Sequence, residues 1–390
     1  MKKVFILGIF IYVITAGASY AVFSQTGTVT SPDEKKATDP AKLGKVDNDY
    51  EALTFDPNLP KTEVCPLTGV KYGEDQRQWW ESHRPLGIMI ENHLDARPQS
   101  GINAADVTYE AVAEGGITRT LDIYYCQDAG IVGPVRSART YFLDFVSEYG
   151  EYPLYAHVGG ANTPGPADAL GQIGDYGWNQ YNDLSQFSIG FPTFKRDQSR
   201  LGREVATEHT MYSVTTKLWE VGAKRGLTEV DKDGNSWDEN FIPYTFKEEP
   251  AASERPASQV VSVDFWQDPS YSVTWTYNKE DNTYLRDNGG EPHMDRNTNE
   301  QLKATNVIVL YMTEANANDG YPGNAHLLYG TTGSGDAVVF RDGEEIQAEW
   351  SKAKRQSHLE ITDASGNEIE YSPGKLWFMV QPIGSDIVVQ

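Results

Sequence analysis

The N-terminal segment decides on which side of a membrane the rest of the chain folds. Met1 and two lysines precede the run VFILGIFIYVITAGASYAVF, residues 4–23, which has twenty residues and no charge. This is the length of a membrane-spanning helix, and small residues at 16–21 also suit the cleavage site of a secretory signal. Both alternatives export everything after about residue 24, because lysines that precede such a run stay in the cytoplasm. We favour an uncleaved anchor in the cell membrane over a cleaved signal and secretion, since the apolar run continues past the small residues.

Two polar stretches divide the exported part of the chain. Residues 24–62 are rich in Ser, Thr, Asp, Lys and Pro, which is typical of a flexible linker. A second stretch, KEEPAASERPASQ at 247–259, has the same character. The segments on either side of it, 63–246 and 260–390, each have an ordinary domain size. We therefore predict a signal peptide or anchor at 1–23, a linker, and two domains joined by a second linker.

The two predicted domains differ in their hydrophobic periodicity. In the first domain, short apolar or alternating runs predict strands at 86–90, 106–111, 118–126 and 154–158. Helical spacing of apolar residues predicts helices at 137–149 and 207–225. The second domain has the pattern of antiparallel β structure, with strict alternation at 271–277 and turn sequences at 341–343 and 363–367. The predicted fold class is α+β: a mixed α/β N-terminal domain followed by a smaller, mainly antiparallel β domain.

Charge excludes one class of partner and draws attention to one residue type. The chain has 33 Lys and Arg against 56 Asp and Glu, a formal charge of −23, which would repel nucleic acid. None of the 18 lysines lies between Tyr72 and Phe194, although six arginines do: Arg77, Arg84, Arg97, Arg119, Arg136 and Arg139. Arginine is preferred where a planar fork grips a carboxylate or phosphate, and also where an ion pair is buried.

This arginine enrichment has two interpretations. Arg136 and Arg139 stand three apart at the predicted start of a helix, where free N–H groups also favour an anion, so they are candidates for an anion clamp. In the alternative, the arginines pair internally with acidic residues of the same domain, namely Glu91, Glu110, Glu114 and Asp122. The sequence leaves both interpretations open.

Two carboxylates raise the hypothesis of a glycosidase. Glu110 and Glu114 would lie on the same face of an unbroken strand, but roughly 13 Å apart at 3.3 Å per residue. Glycosidase carboxylates lie roughly 5–9.5 Å apart, so a partner such as Glu91 or Asp122 would be needed, unless a single acid performs a lytic cleavage without water. Glu114, which two glycines follow, is the better catalytic candidate. The alternative is a solvated or arginine-paired carboxylate.

The remaining motifs predict neither a cofactor nor a metal. His93, His157 and His209 lack the spacing of zinc ligands, and there is no nucleophile elbow, P-loop or dinucleotide fingerprint. Residues 231–235 begin like a calcium loop, but the glycine and the glutamate of its later positions are missing. Cys65 and Cys126 could form a disulfide in an oxidising exterior, although their spacing does not show that they approach each other.

Long strings of the sequence carry a family resemblance. RPLGIMIENHLDARPQSGINAADVTYEAVAEGGITRTLDIYY at 84–125, followed by VGPVRSARTYF at 132–142, closely resembles the YerB-like family of bacterial cell-surface lipoproteins. CPLTG at 65–69 and YSPGKLWFMVQP at 371–382 are similar to further blocks of that family. The resemblance covers about residues 63–390 and implies a two-domain extracytoplasmic protein whose biochemical role is unknown. The chain lacks a lipobox cysteine, which departs from the lipoprotein members and favours a peptide anchor.

Our leading hypothesis from the sequence is a membrane-tethered cell-envelope protein that binds an anionic wall glycan or peptide. Glu114 is the catalytic candidate, and the candidate ligand-binding residues are His93, Arg97, Glu110, Arg119, Arg136, Arg139 and His157. The first alternative is a peptidoglycan-cleaving enzyme that uses Glu114 as general acid or base. The second is a scaffold of an envelope complex, with a docking face supplied by the tryptophans of the second domain. The expected partners are a wall or envelope component and the membrane, with no nucleic acid.

Overall fold

The computed structural model describes residues 51–266 and 268–390. The predicted anchor at 1–23 and most of the predicted linker at 24–62 lie outside the described residues. Within the described part, no helix is long and apolar enough to cross a membrane. The described residues all belong to one compact unit, which is built mainly of strands.

Most of the strands are short. In chain order they are β1 Glu63–Val64, β2 Lys71–Tyr72, β3 Leu86–Glu91, β4 Val107–Glu114, β5 Ile117–Tyr124, β6 Ile131–Val132, β7 Leu154–His157, β8 Asp183–Ser185, β9 Lys195–Arg196, β10 Met211–Val214, β11 Val260–Val263, β12 Val273–Asn278, β13 Thr283–Asn288, β14 Glu291–Pro292, β15 Lys303–Ala304, β16 Asn306–Met312, β17 Glu314–Asn316, β18 Leu327–Tyr329, β19 Gly333–Arg341, β20 Glu344–Lys352, β21 Glu360–Asp363, β22 Leu376–Pro382 and β23 Ile387–Val389. The four strands predicted for the first domain correspond to β3, β4, β5 and β7.

The helices of the described residues are shorter than the sequence pattern predicts. They are α1 Glu74–Trp80, α2 Thr140–Val146, α3 Ala169–Asp175, α4 Gln186–Ile189 and α5 Thr215–Lys224. The prediction of a helix over 137–149 is wrong at its start, because the chain is still extended at Arg139 and Ala138 bridges to Gly160. The prediction of a helix over 207–225 is wrong at Met211–Val214, where β10 pairs with β6 and β9, and the residues before it form a 3₁₀ turn at Thr207–Thr210.

A mixed sheet of ten strands joins the two sequence regions. Its order is β21-β20-β19-β16-β22-β4-β5-β3-β7-β8. Strand β22, from the C-terminal region, pairs in parallel with β4, from the N-terminal region, as well as with β16. Strands β4, β16 and β22 are buried almost throughout, as expected for strands covered on both faces. The two regions therefore share one sheet and one hydrophobic core.

A second sheet of six strands contains the strand predicted at 271–277. Its order is β14-β13-β12-β11-β23, with β15 also paired to β13, and all its pairs are antiparallel. The predicted turn at 341–343 joins β19 to β20, and Asp342 and Gly343 both have positive φ, as a two-residue hairpin turn requires. Trp275, Trp350 and Trp377 are buried, which removes them from any docking face.

A disulfide joins the start of the first domain to the end of β5. Cys65 and Cys126 have their Cα atoms 6.0 Å apart and form a bond across a sequence separation of 61 residues. Both side chains are completely buried. Disulfides persist in oxidising compartments, so the pairing, which the spacing of the cysteines had left open, agrees with export of this part of the chain.

Candidate functional site

The candidate site lies at one edge of the ten-stranded sheet. Strands β3 and β4 both run antiparallel to β5, and β7 and β8 follow the direction of β3. Their carboxyl ends therefore meet at the same edge, together with the first residues of β5. Ligands of open α/β sheets bind outside the carboxyl ends of the strands, and the charged residues Glu91, Glu114 and Arg119 stand at this edge.

Glu114 forms the first half of the site. It is the last residue of β4, where a bulge shifts the pairing with β5 between Val112 and Glu114. One carboxylate oxygen lies 3.4 Å from Nη2 of Arg119, and the other contacts Nη2 of Arg139. The guanidinium groups are held in place by backbone carbonyls, since Arg119 donates to Ser137 O at 2.9 Å and Arg139 to Ala138 O at 2.6 Å. The carboxylate is thus held between two arginines.

Glu91 forms the second half. It is the last residue of β3 and lies directly opposite Arg119 in the β3–β5 pair. Its Oε1 is 3.2 Å from Nε of Arg136, and its Oε2 accepts a hydrogen bond of 3.0 Å from Nδ1 of His209. The His209 ring stacks on the ring of His93, with centroids 4.6 Å apart. Three arginines, two glutamates and two histidines are therefore contiguous at this edge.

Three arginines and two glutamates form the ion pairs of the cluster, and Glu208 and Arg196 both lie close enough to Arg136 to change its pKa. Burial lowers the pKa of Arg119, of Arg136 and of Arg139, and the nearby charge of Glu91 opposes this effect at Arg119 and Arg136. Among the described residues of this cluster, Nε of Arg136 and Nε of Arg139 are buried without a hydrogen-bond partner, the contact of Arg136 with Glu91 being an ion pair only. A buried N–H group without a partner is costly. The two glutamates therefore leave some N–H groups of the arginines without a hydrogen bond.

Access to the cluster is uneven. The side chains of Arg119 and Arg139 are 5% and 6% exposed, whereas those of Arg136 and Glu114 are both 27% exposed. The two interpretations of the arginines therefore apply to different residues. Arg119 and Arg139 form buried ion pairs with Glu114, and Arg136 presents part of its guanidinium group to solvent.

Three of the predicted ligand-binding residues lie away from this cluster. Glu110 is fully buried and binds Arg286. His157 is also fully buried, with its ring nitrogens 2.7 Å from Asp183 Oδ1 and 2.7 Å from Gly159 O. Arg97 donates to Asn92 and Ser270 and lies over the ring of Tyr271, so it links the two sequence regions. Each has its polar groups bound to other groups of the protein, and none of these contacts is with an arginine of the cluster.

Sequence reasoning did not include Glu91, His209 or Arg196 among the ligand-binding candidates. From the sequence, Glu91 is a candidate internal partner of arginine or second glycosidase carboxylate, and His209 is a candidate metal ligand. Arg196, at the end of β9, is exposed and lies close enough to Arg136 for its charge to lower the pKa of Arg136. Their position along the chain could have indicated them, because Glu91 and Arg196 end strands and His209 lies in the 3₁₀ turn before β10.

One group beside the cluster has the donor set of a metal site. The ligand atoms of His93, Asp95 and His209 lie within 4.8 Å of one another. However, Nδ1 of His93 accepts the N–H of Asp95 at 3.1 Å, and Asp95 pairs with Arg203 at 3.3 Å. A cation would have to displace Arg203 and would face the positive charge of Arg136, so the donor set fits a metal poorly.

Comparisons with known proteins agree with this architecture. Residues 67–228 match the N-terminal domain, and residues 261–378 the C-terminal domain, of the family described as "Protein of unknown function (DUF3048)". The chain belongs to this family of two-domain proteins, which confirms the resemblance seen in the sequence.

One comparison by sequence and one by structure, both with YerB of Bacillus subtilis, show a more specific similarity. The chain is 26% identical over 329 residues to the "Putative lipoprotein YerB" of Bacillus subtilis (strain 168), a match that covers 84% of this chain and 88% of the relative. The crystal structure of the YerB protein from Bacillus subtilis has the same fold, with a TM-score of 0.68 at 22% identity over 84% of this chain and all of that one.

Proposed function

We propose that the protein is held at the cell membrane by its N-terminal segment and acts outside the cytoplasm. Three independent observations support this location. Residues 4–23 form an uncharged run of membrane-spanning length, the exported part contains a buried disulfide, and a relative that covers most of the chain is named as a lipoprotein. The absence of a cysteine near the run assigns the anchoring to the peptide itself.

The folded part binds an anionic component of the envelope at the cluster of Glu91, Glu114, Arg119, Arg136 and Arg139. The observation that carries this proposal is the convergence of Arg119, Arg136 and Arg139, ion-paired to two carboxylates, at the carboxyl edge of the sheet, with Arg196 and Glu208 adding one further charge of each sign near Arg136. The chain as a whole is strongly acidic, so a local excess of guanidinium groups is the feature that would attract a carboxylate or phosphate. Arg136 is the guanidinium that such a group reaches first.

The geometry favours binding over cleavage. A general acid must hold a proton near neutral pH, whereas a carboxylate between two guanidinium groups is stabilised in its charged form. Glu114 is therefore poorly suited to protonate a leaving group. Its position explains instead how Arg119 and Arg139 are kept charged and oriented beneath the surface.

Arg136→Ala should reduce retention of the purified full-length protein on bacterial cell wall by about tenfold or more, because a hydrogen bond between charged groups contributes roughly 1.5–3 kcal/mol. The measurement is co-sedimentation with wall material at low ionic strength. Arg77→Ala is the matched control, since Arg77 is also partly exposed and ion-paired but lies on α1. Unchanged retention by a folded Arg136→Ala protein would overturn the proposal.

Glu114→Gln should bind the wall severalfold more tightly, because the substitution removes a partly exposed negative charge that offsets the charge of Arg119 and Arg139 and repels an anionic ligand. Its thermal stability should fall at the same time, since two buried guanidinium groups lose their partner. Mass spectrometry of the incubated wall then distinguishes the enzymatic alternative. New reducing or anhydro ends made by the native protein and lost in Glu114→Gln would contradict a purely binding role.

A further inference from the structure

The exposed aromatic residues of the protein are gathered at the same edge as the arginines. Among the described residues, four large aromatic side chains are exposed: Phe187, Phe191, Trp266 and Tyr321. Phe187 and Phe191 are 78% and 81% exposed and belong to α4 and the turn after it, directly beyond the carboxyl end of β8. Exposed aromatic residues that concentrate on one part of a surface indicate an interaction site.

Trp266 flanks the cluster on the side of the β4–β5 turn. Its ring packs against Gly116, where a Cβ atom would lie 3.5 Å from Cε3, and Gly116 is two residues from Glu114. The indole Nε1 donates to Oε1 of Glu314 at 3.1 Å, which orients the ring while 41% of the side chain stays exposed. The backbone of Trp266 has φ +56°, a conformation that is unfavourable for a bulky residue. The fold thus maintains a strained residue in order to hold this ring at the surface.

Tyr321 and Phe187 are exposed aromatic residues near Arg139. The ring of Tyr321 stacks on His326 at 3.9 Å, and His326 is fixed by Asp319 at 2.7 Å. The hydroxyl of Tyr321 is close enough to Arg139 to influence its pKa. Phe187 lies over Gly159, whose carbonyl accepts the N–H of Ala138, the residue before Arg139. Trp266 therefore lies near Glu114, and Tyr321 and Phe187 lie near Arg139 and the residue before it.

We infer that the ligand of this site is an acidic glycan: sugar rings pack on Trp266, Tyr321 and Phe187, and a carboxylate or phosphate on the sugar pairs with the arginines. The inference rests on the proposed function and specifies its ligand. A pyranose ring presents a flat face of C–H groups that suits an aromatic ring, and its acidic substituent supplies the charge for Arg136. An acidic peptide would satisfy the arginines but has no ring faces for three separate aromatic platforms.

The test uses the full-length protein and two probes made from the same cell wall. One probe is soluble glycan strands from which an amidase has removed the peptides, and the other is the released peptides. In calorimetric titrations we expect the glycan strands to bind and the peptides not to bind. Trp266→Ala and Tyr321→Ala should each weaken glycan binding about fivefold to tenfold. Ile242→Ala, which removes an exposed apolar side chain elsewhere, should leave it unchanged.

The possible outcomes separate this inference from the proposed function. Binding of the peptides alone, with loss in Arg136→Ala, would overturn the glycan inference and leave the anion site standing. Glycan binding that is equally strong in folded Trp266→Ala and Tyr321→Ala proteins would also overturn it. Binding of neither probe would contradict both proposals. Retention on anionic phospholipid vesicles that depends on Phe187 and Phe191, in place of glycan binding, would assign the aromatic residues to a lipid surface and overturn the inference.

Discussion

Arg286→Met is expected to lower the free energy of unfolding by about 3–5 kcal/mol, because it leaves a buried carboxylate without its partner. Arg286 and Glu110 are both completely buried, and Nη2 of Arg286 lies 2.8 Å from each carboxylate oxygen. Glu110 also accepts hydrogen bonds from Nε1 of Trp377 at 3.0 Å and from Oγ1 of Thr118 at 2.9 Å. All hydrogen bonds of this carboxylate are therefore made inside the protein.

The effect should be large because these residues join different parts of the fold. Glu110 is in β4, Trp377 is in β22, and Arg286 is in β13 of the six-stranded sheet. The guanidinium group also lies over the rings of Trp275 and Trp377, at 5.7 and 5.0 Å. Loss of Arg286 would therefore weaken the packing of the six-stranded sheet on the ten-stranded sheet.

Urea denaturation followed by tryptophan fluorescence measures the change. The control is the double variant Glu110→Gln and Arg286→Met, which removes both charges and should recover much of the lost stability, because the cost arises from an uncompensated charge. If Arg286→Met alone were as stable as the native protein, the carboxylate of Glu110 would have to be neutral or solvated, contrary to the structure.

Replacing both cysteines by serine is the second change with a large expected effect. The bond between Cys65 and Cys126 spans 61 residues of sequence, and closure of a loop of that length restricts the unfolded chain by about 4 kcal/mol in the chain-entropy model. We expect the double Cys→Ser protein to lose a comparable part of its free energy of unfolding.

Thermal unfolding with and without a reducing agent provides the matched measurement. The native protein should unfold at a lower temperature after reduction, whereas the double Cys→Ser protein should not respond to the reductant. An identical unfolding temperature of oxidised and reduced native protein would show that the pairing does not form. Such a result would also remove one of the three observations that support an exported location.

Local patterns in the sequence predicted the strands of the N-terminal region well and its helices less well. Strands such as β3 and β5 have apolar or alternating residues that suit a pleated surface irrespective of the partner strand. The segment 207–225 shows helical spacing throughout, but Met211–Val214 became β10 because β6 and β9 were available to pair on both sides. The spacing of apolar residues indicates which side chains are buried. It does not indicate which backbone N–H and C=O groups pair with a neighbouring strand.

For the candidate site too, the sequence predicted some features, and others depended on contacts with distant parts of the chain. Composition alone identified Arg119, Arg136 and Arg139 as unusual, and the glycines after Glu114 indicated a strand end. The sequence favoured Glu114 over Glu110 only through the two glycines that follow Glu114, and it did not indicate that Glu110 is buried. In the fold, Glu110 lies under the six-stranded sheet and Glu114 follows a bulge at the open end of β4.

The sequence by itself determined the family, the positions of the main strands of the N-terminal region and the residues that carry unusual charge, and it predicts the export of the chain. These properties depend on neighbours along the chain or on motifs that can be read directly. Only the tertiary structure decided which charges are buried and which are accessible, because Glu110 meets a partner 176 residues away. The register of β4 with β5 and β22 places Glu110 inside the fold, where it meets Arg286. The same register places Glu114 at the open end of the sheet, near Arg136 and the exposed aromatic residues.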